Sequence, residues 1–280
     1  MKSILLLLCI NIIAYSSAPS KLSLQEAIQQ GRVEATYTST GDHSGEAINI
    51  KLNWLKGKKQ DLYIKAGSLF KSSNEEDQDI FVLEDQNIIA RNEQNTINGY
   101  CCQSNNASPS EGSKFSLIKS NSKKLQDLAK FCNGKRLDDH SLQSAVWALS
   151  DGKPISDIYA IENPLVKSLR EQVAKIGNIK DEWYSTKSNY NIAEDRSIER
   201  SPVEVSGELI YEAHKSGKIS YTIHDKNGVE IRSIGDGLSI PRAGNYTINF
   251  SLKVEGWESG EYLVKLTLQG ETIHTQSFEV

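Results

Sequence analysis

The hydrophobic pattern of the chain changes period twice. From Arg32 to Phe70 apolar and polar positions alternate, as in Val33, Ala35 and Tyr37 and again in Ile48, Ile50 and Leu52. A period of two puts alternate side chains on one face of a strand. Leu62 to Ile64, Leu69-Phe70, Ile80 to Leu83 and Asn87 to Ala90 extend the run, with Lys56-Gly57 and Ala66-Gly67 as turns. Short strands broken by turn residues predict an antiparallel β-sandwich. Ahead of them, Ser23-Leu-Gln-Glu26 is a capping box that predicts a short helix ending at Gly31. After a strand at Lys114 to Ile118 the period becomes helical. Leu125, Leu128 and Phe131/Cys132 share one face, and Leu142, Ala145, Val146 and Leu149 share another, with Ser141 as the expected cap and Asp151-Gly152 as the stop. Asn163-Pro164 opens a further amphipathic helix that ends at Gly177.

Alternation returns at Ile219, Tyr221 and Ile223 and again from Tyr246 to Leu252, and Asp225-Lys-Asn-Gly228 is the strongest hairpin signal. The expected fold is therefore mainly β with a helical middle, α+β in class. Residues 19–120 form an N-terminal β-sandwich and 121–177 a helical subdomain packed on it. Residues 178–201 are polar apart from Trp183, Tyr184 and Tyr190, and are expected to be a linker lying against one of the domains. Residues 202–280 form a C-terminal Ig-like sandwich of about seven strands.

The N-terminus points to a place outside the cytoplasm. Lys2, an apolar run from Ile4 to Ala14, and Ser16-Ser17-Ala18 have the shape of a secretory signal peptide over 1–18. The expected location is the periplasm, the outer-membrane surface or the extracellular space. The formal charge of -4 and pI of about 5.8 offer no basic face for nucleic acid. The mean hydropathy of -0.46 and 38% hydrophobic content are those of an ordinary water-exposed chain. No His-x-x-x-His pair, Cys-x-x-Cys or glycine-rich phosphate loop is present, so neither metal nor cofactor is expected. Asn74-Glu-Glu-Asp-Gln-Asp79 is acidic enough to suggest calcium, but it lacks EF-hand spacing and reads as a solvated loop.

Candidate chemistry gathers between Asn98 and Gly152. Cys101, Cys102 and Cys132 lie there, and an oxidising compartment favours a bridge from Cys132 to Cys102 or to its neighbour Cys101. Three cysteines leave one thiol over, and the bland fate for it is burial. In that reading Gln143 is a helix-surface residue and Trp147 is core. His140 with Asp138 and Asp139 gives a weak cysteine-protease pattern without a local motif, so no catalytic residue is assigned.

Two resemblances add to this. Tyr221-Thr-Ile-His-Asp-Lys-Asn-Gly228 and Gly256-Trp-Glu-Ser-Gly-Glu-Tyr-Leu-Val264, with a final strand Ser277-Phe-Glu-Val280, resemble the C-terminal Ig-like modules of secreted Bacteroidota proteins, including type IX sorting domains. That resemblance implies an export-linked β-domain. Tyr100-Cys101 (or Cys102) and Gln143-Ser-Ala-Val-Trp147 are similar to the thioester domains of bacterial surface adhesins, with Leu142 where that family has Thr. The second resemblance implies a bond between a thiol, Cys101, and the Gln143 side chain, opened by amines on a partner. The expected function is a non-enzymatic binding protein of the envelope or surface, such as an accessory subunit of an outer-membrane or secretion complex, with a thioester adhesin as the alternative. Its partner is expected to be a protein, with the membrane reached only through that partner.

Overall fold

The computed structural model describes residues 21–280 except Glu162, and the side chains at 234–236 are also outside the description. The signal-peptide expectation at 1–18, with Cys9, falls outside these residues. The chain is mainly β, with antiparallel sheets around a helical middle.

Helix α1 (Leu24–Gln29) starts on Ser23, whose Oγ accepts from the Glu26 N–H while Glu26 accepts from the Ser23 N–H, which completes the capping box. Eight strands follow: β1 (Val33–Ser39), β2 (Ser44–Trp54), β3 (Leu62–Ile64), β4 (Ser68–Ser72), β5 (Ile80–Phe81), β6 (Gln86–Ile88), β7 (Asn95–Cys101) and β8 (Lys114–Lys119). Six of them close in the order β1-β2-β7-β5-β4-β8, while β3 and β6 pair separately. The N-terminal unit is thus a closed barrel and not the sandwich expected from strand spacing. Alternation specifies which side chains face inward, but not whether the last strand pairs back onto the first. Here β8 does so through Tyr37↔Phe115 and Thr38↔Lys114. Ile48, Ile50, Phe70, Ile80, Ile97 and Cys101 fill the interior.

Helices α2 (Lys123–Cys132), α3 (Asp139–Ser150) and α4 (Pro164–Gly177), with a 3-10 turn at Ile155–Asp157, cover one outer wall of the barrel. Phe81, Leu83, Tyr100 and Cys102 of the barrel pack there against Leu128, Val146, Leu169 and Val173. The run from Ser141 to Leu149 is buried throughout, as befits a helix enclosed on all sides.

The linker expected over 178–201 instead holds strand at 184–192 and from 198 onward. β9 (Tyr184–Ile192) pairs with β10 (Ile198–Ala213). Its polar positions hide the pattern: Ser185, Thr186 and Ser188 are buried, with Ser185 meeting Ala160 and Arg170 and Ser188 meeting Asp157 of the helical layer. The remaining strands are β11 (Gly217–Asp225), β12 (Glu230–Ile240), β13 (Gly244–Lys253), β14 (Glu261–Leu268) and β15 (Glu271–Glu279). They complete a three-stranded sheet, β13-β10-β9, and a four-stranded sheet, β12-β11-β14-β15, with one shared core. Val205, Leu209 and Phe250 contribute to it from the first sheet, and Ile223, Val264, Leu266 and Phe278 from the second. The turn at 225–228 joins β11 to β12, and Gly228 supplies the positive φ of +80°.

Candidate functional site

The site forms where β7, α3 and β9 meet. Along β7 successive side chains leave opposite faces of the strand. Cys101 therefore enters the barrel core, while Tyr100 and Cys102 face the helices. Gly99 makes room for Ile80 of β5, whose side chain occupies the place a Cβ would take. Helix α3 is capped by Asp138, whose carboxylate accepts from the N–H (2.8 Å) and hydroxyl (2.8 Å) of Ser141. The expected cap, Ser141, is thus the donor of the cap contact. The helix is seated on β7 by the Tyr100 hydroxyl, which donates to Asp139 at 2.8 Å.

That seating aims Gln143 at the strand. Its Nε2 donates to the Cys101 carbonyl at 2.8 Å and its Oε1 accepts from the Cys101 N–H at 3.0 Å. The same N–H also reaches the His43 carbonyl at 3.0 Å. The register of β2 with β7 ends at Ser44↔Tyr100, so Gln143 supplies a donor to the Cys101 carbonyl and shares the Cys101 N–H with the His43 carbonyl. Gln143 is 1% exposed and is not the surface residue expected of a plain amphipathic helix.

Around this clamp is an open cleft of about 340 Å³, lined by His43, Ser44, His140, Gln143, Ser188, Asn189, Tyr190 and Asn191. His43 stacks on Trp147, with centroids 6.1 Å apart and planes 5° apart. Tyr190 meets Trp147 edge-on at 5.1 Å and His140 at 5.3 Å. Burial holds both imidazoles below their ordinary value. Asp42 partly opposes this at His43, and Asp138 and Asp157 do so at His140. The cleft is therefore a neutral, hydrogen-bonding surface at pH 7.

β9 is fixed as the third wall by a buried clasp. Asp157, 2% exposed, accepts two bonds of 2.7 Å from Arg200 and one of 3.0 Å from the Tyr190 hydroxyl. At the tip of the β9–β10 hairpin, Arg196 donates to Asp77 (2.9 Å), the Ser108 carbonyl and Ser110. The acidic loop at 74–79 is accordingly docked and not simply solvated. Asp77 is buried under Arg196, and Asp79 accepts from the Ser72 N–H and from Gln103.

Among the described residues Cys101, Cys102 and Cys132 are all free, buried thiols, so the bridge expected from Cys132 to Cys102 or Cys101 is not formed here. Cys102 and Cys132 share the helical cluster, while Cys101 faces the other way into the barrel. Burial raises all three. Asp79 adds to the rise at Cys101 and Cys102, and Cys132 is pushed up to about 12. Asp138 and Asp139 are engaged with Ser141 and Tyr100, so no Cys-His-Asp relay forms. Among the described residues no group of three His, Cys, Asp or Glu side chains is arranged to hold a metal. No helix among them is long and apolar enough to cross a membrane.

The structure thus brings together Cys101 and Gln143, which the sequence motif singles out, and adds His43, Tyr190, Asp157 and Arg200. Of these additions only Tyr190 carries a sequence signal, as an aromatic residue in a polar stretch. No family model and no curated protein matches this chain. Among solved structures, similarity is found to Pseudomonas fluorescens alkylpurine DNA glycosylase AlkC bound to DNA containing an abasic site analog. The identity is 12% and the TM-score 0.22, over 50% of this chain and 45% of that one, a likeness too slight to bear on fold or function.

Proposed function

We propose that this is an exported, non-enzymatic binding protein of the cell envelope or surface, and that it recognises its protein partner through the His43–His140–Gln143–Tyr190 cleft. The carrying observation is the composition of that cleft. It joins the barrel, the helical layer and β9, and it offers amides, hydroxyls and neutral imidazoles on an aromatic bed. No ionised nucleophile serves it, because the neighbouring thiols are buried and raised. The C-terminal pair of sheets, three strands against four, fits an Ig-like sandwich, which is the form of a permanent binding or export-linked module. The test uses residues 19–280 and the variants Ser44→Arg and Asn191→Arg, which fill the cleft mouth. Cross-linking in envelope extracts identifies a partner, and the purified partner then binds the wild type at least tenfold more tightly than either variant. Equal binding, or turnover of a peptide or glycan library by the pure protein, defeats the proposal.

A second reading, the thioester adhesin, rests on Gln143 lying beside Cys101, which it meets through the main chain while the sulfur sits in the barrel core. In that chemistry the thiolate attacks the Gln143 carboxamide carbon, the C–N bond breaks, and ammonia leaves with the transferred proton. A partner amine then displaces the thiolate, forming an amide and returning the thiol. The electrostatics oppose the first step, since even an ordinary thiol is only about 3% ionised at pH 7 and this one is raised further. Intact mass decides: a loss of about 17 Da, reversed by methylamine, supports the bond, and an unchanged mass rejects it.

A further inference from the structure

A cationic corner lies at one end of the barrel, away from the cleft. Its centre is the loop after β2, residues 55–61. The Arg32 carbonyl accepts from the N–H of Leu55 (2.9 Å) and of Lys56 (3.3 Å), and Arg32 Nη2 donates to the Lys58 carbonyl at 3.3 Å. Gly57, at φ +79°, turns the loop over the guanidinium. Lys56 and Lys58 are thereby held beside Arg32, and Lys59 shares an open hollow with Arg91. The one carboxylate in that hollow, Asp61, accepts from the Ala90 N–H. Among the described residues none of the five cations enters an ion pair.

Gathering five unpaired cations on a chain of net charge -4 costs self-repulsion that an external polyanion removes. The same loop carries Leu55, 53% exposed, directly after the half-buried Trp54. A soluble polyanion gains nothing from a protruding leucine. A bilayer surface does, because phosphate headgroups meet the cations while the side chain enters the acyl boundary. We propose that this corner, Arg32, Leu55, Lys56, Lys58, Lys59 and Arg91, docks the protein on an anionic lipid surface. This goes beyond the indirect membrane link expected from the sequence and does not depend on the cleft.

The experiment is vesicle flotation of residues 19–280 with phosphatidylcholine alone and with about one third phosphatidylglycerol, at low and high NaCl. Binding is expected only to the anionic vesicles and falls steeply with salt. Each lost cation weakens it about fivefold. Lys58→Glu/Lys59→Glu therefore lowers it at least 25-fold, and Leu55→Ser lowers it several-fold. All three positions are exposed, so the urea midpoint stays unchanged. Equal binding to neutral vesicles, or none to anionic ones at low salt, overturns the proposal. So does a Leu55→Ser variant that binds vesicles as well as the wild type while heparin binds with the same charge dependence, since the corner is then a site for soluble polyanions.

Discussion

Replacing Gln143 by Glu tests the central clamp with an almost isosteric change. A protonated carboxyl reproduces both contacts, its O–H donating to the Cys101 carbonyl and its C=O accepting the Cys101 N–H. A carboxylate keeps the second contact and sets negative charge against the carbonyl in a site 1% exposed. The folded pKa of the introduced carboxyl therefore lies above its unfolded value of about 4.3. A raised folded pKa means that stability is fully present below the unfolded value and is lost as pH rises towards the folded one. The loss approaches about 1.4 kcal/mol per pH unit, or about 3.7 kcal/mol at pH 7 if the carboxyl stays protonated in the fold. Gln143→Ala should cost a similar amount without the pH dependence. It removes two hydrogen bonds at about 1 kcal/mol each and leaves the Cys101 carbonyl buried without its partner, at about 1–3 kcal/mol, while the N–H keeps the His43 carbonyl. Urea unfolding followed by tryptophan fluorescence at pH 4 to 8 measures both. A Gln143→Glu variant that tracks the wild type across that range, or a Gln143→Ala loss under about 1 kcal/mol, refutes the clamp.

Three further outcomes are expected. Asp157→Asn should cost about 2–4 kcal/mol in urea unfolding, because it leaves the Arg200 guanidinium facing a neutral amide, and adding Arg200→Met should recover part of that loss. His43 and His140 are held below the ordinary 6.5 by burial, so their contribution is present above pH 6.5 and is lost as pH falls through their folded values. A His43→Gln/His140→Gln variant should therefore show a flatter stability profile below pH 6.5 than the wild type, and an unchanged profile would contradict the burial. Residues 19–280 should react with almost no dithionitrobenzoate when native and with three equivalents in guanidinium, whereas a Cys102–Cys132 bridge leaves one equivalent.

What the sequence discloses and what it hides follow from the range of each interaction. The Ser23–Glu26 capping box, the turn at 225–228 and the inward alternation of β2 are local, and each is readable from spacing. Barrel closure depends on β1 meeting β8, some eighty positions away, and no local period reports it. β9 escapes a local reading for a related reason. Its buried Ser185 and Ser188 meet polar partners in the helical layer, and Thr186 is buried with its hydroxyl unpartnered, so burial there leaves no hydrophobic trace. The pairing of Cys101 with Gln143 rests on a motif resemblance in the sequence, while its geometry rests on the strand period. Cys101 ends β7 on its barrel-facing side, so Cys102, just past the strand, goes to the helices with Cys132, and Cys101 is left with its backbone toward Gln143 and its sulfur in the barrel. That division separates the two fates expected for the cysteines. Cys102 and Cys132 share the helical side, whereas the Cys101 sulfur lies in the barrel and only its main chain meets Gln143. His43 enters the site only because β2 starts one residue later and releases its main chain to Cys101. A strand end on one element, a carboxamide on a second and a salt-bridged hairpin on a third make the cleft, and none of the three carries its meaning alone.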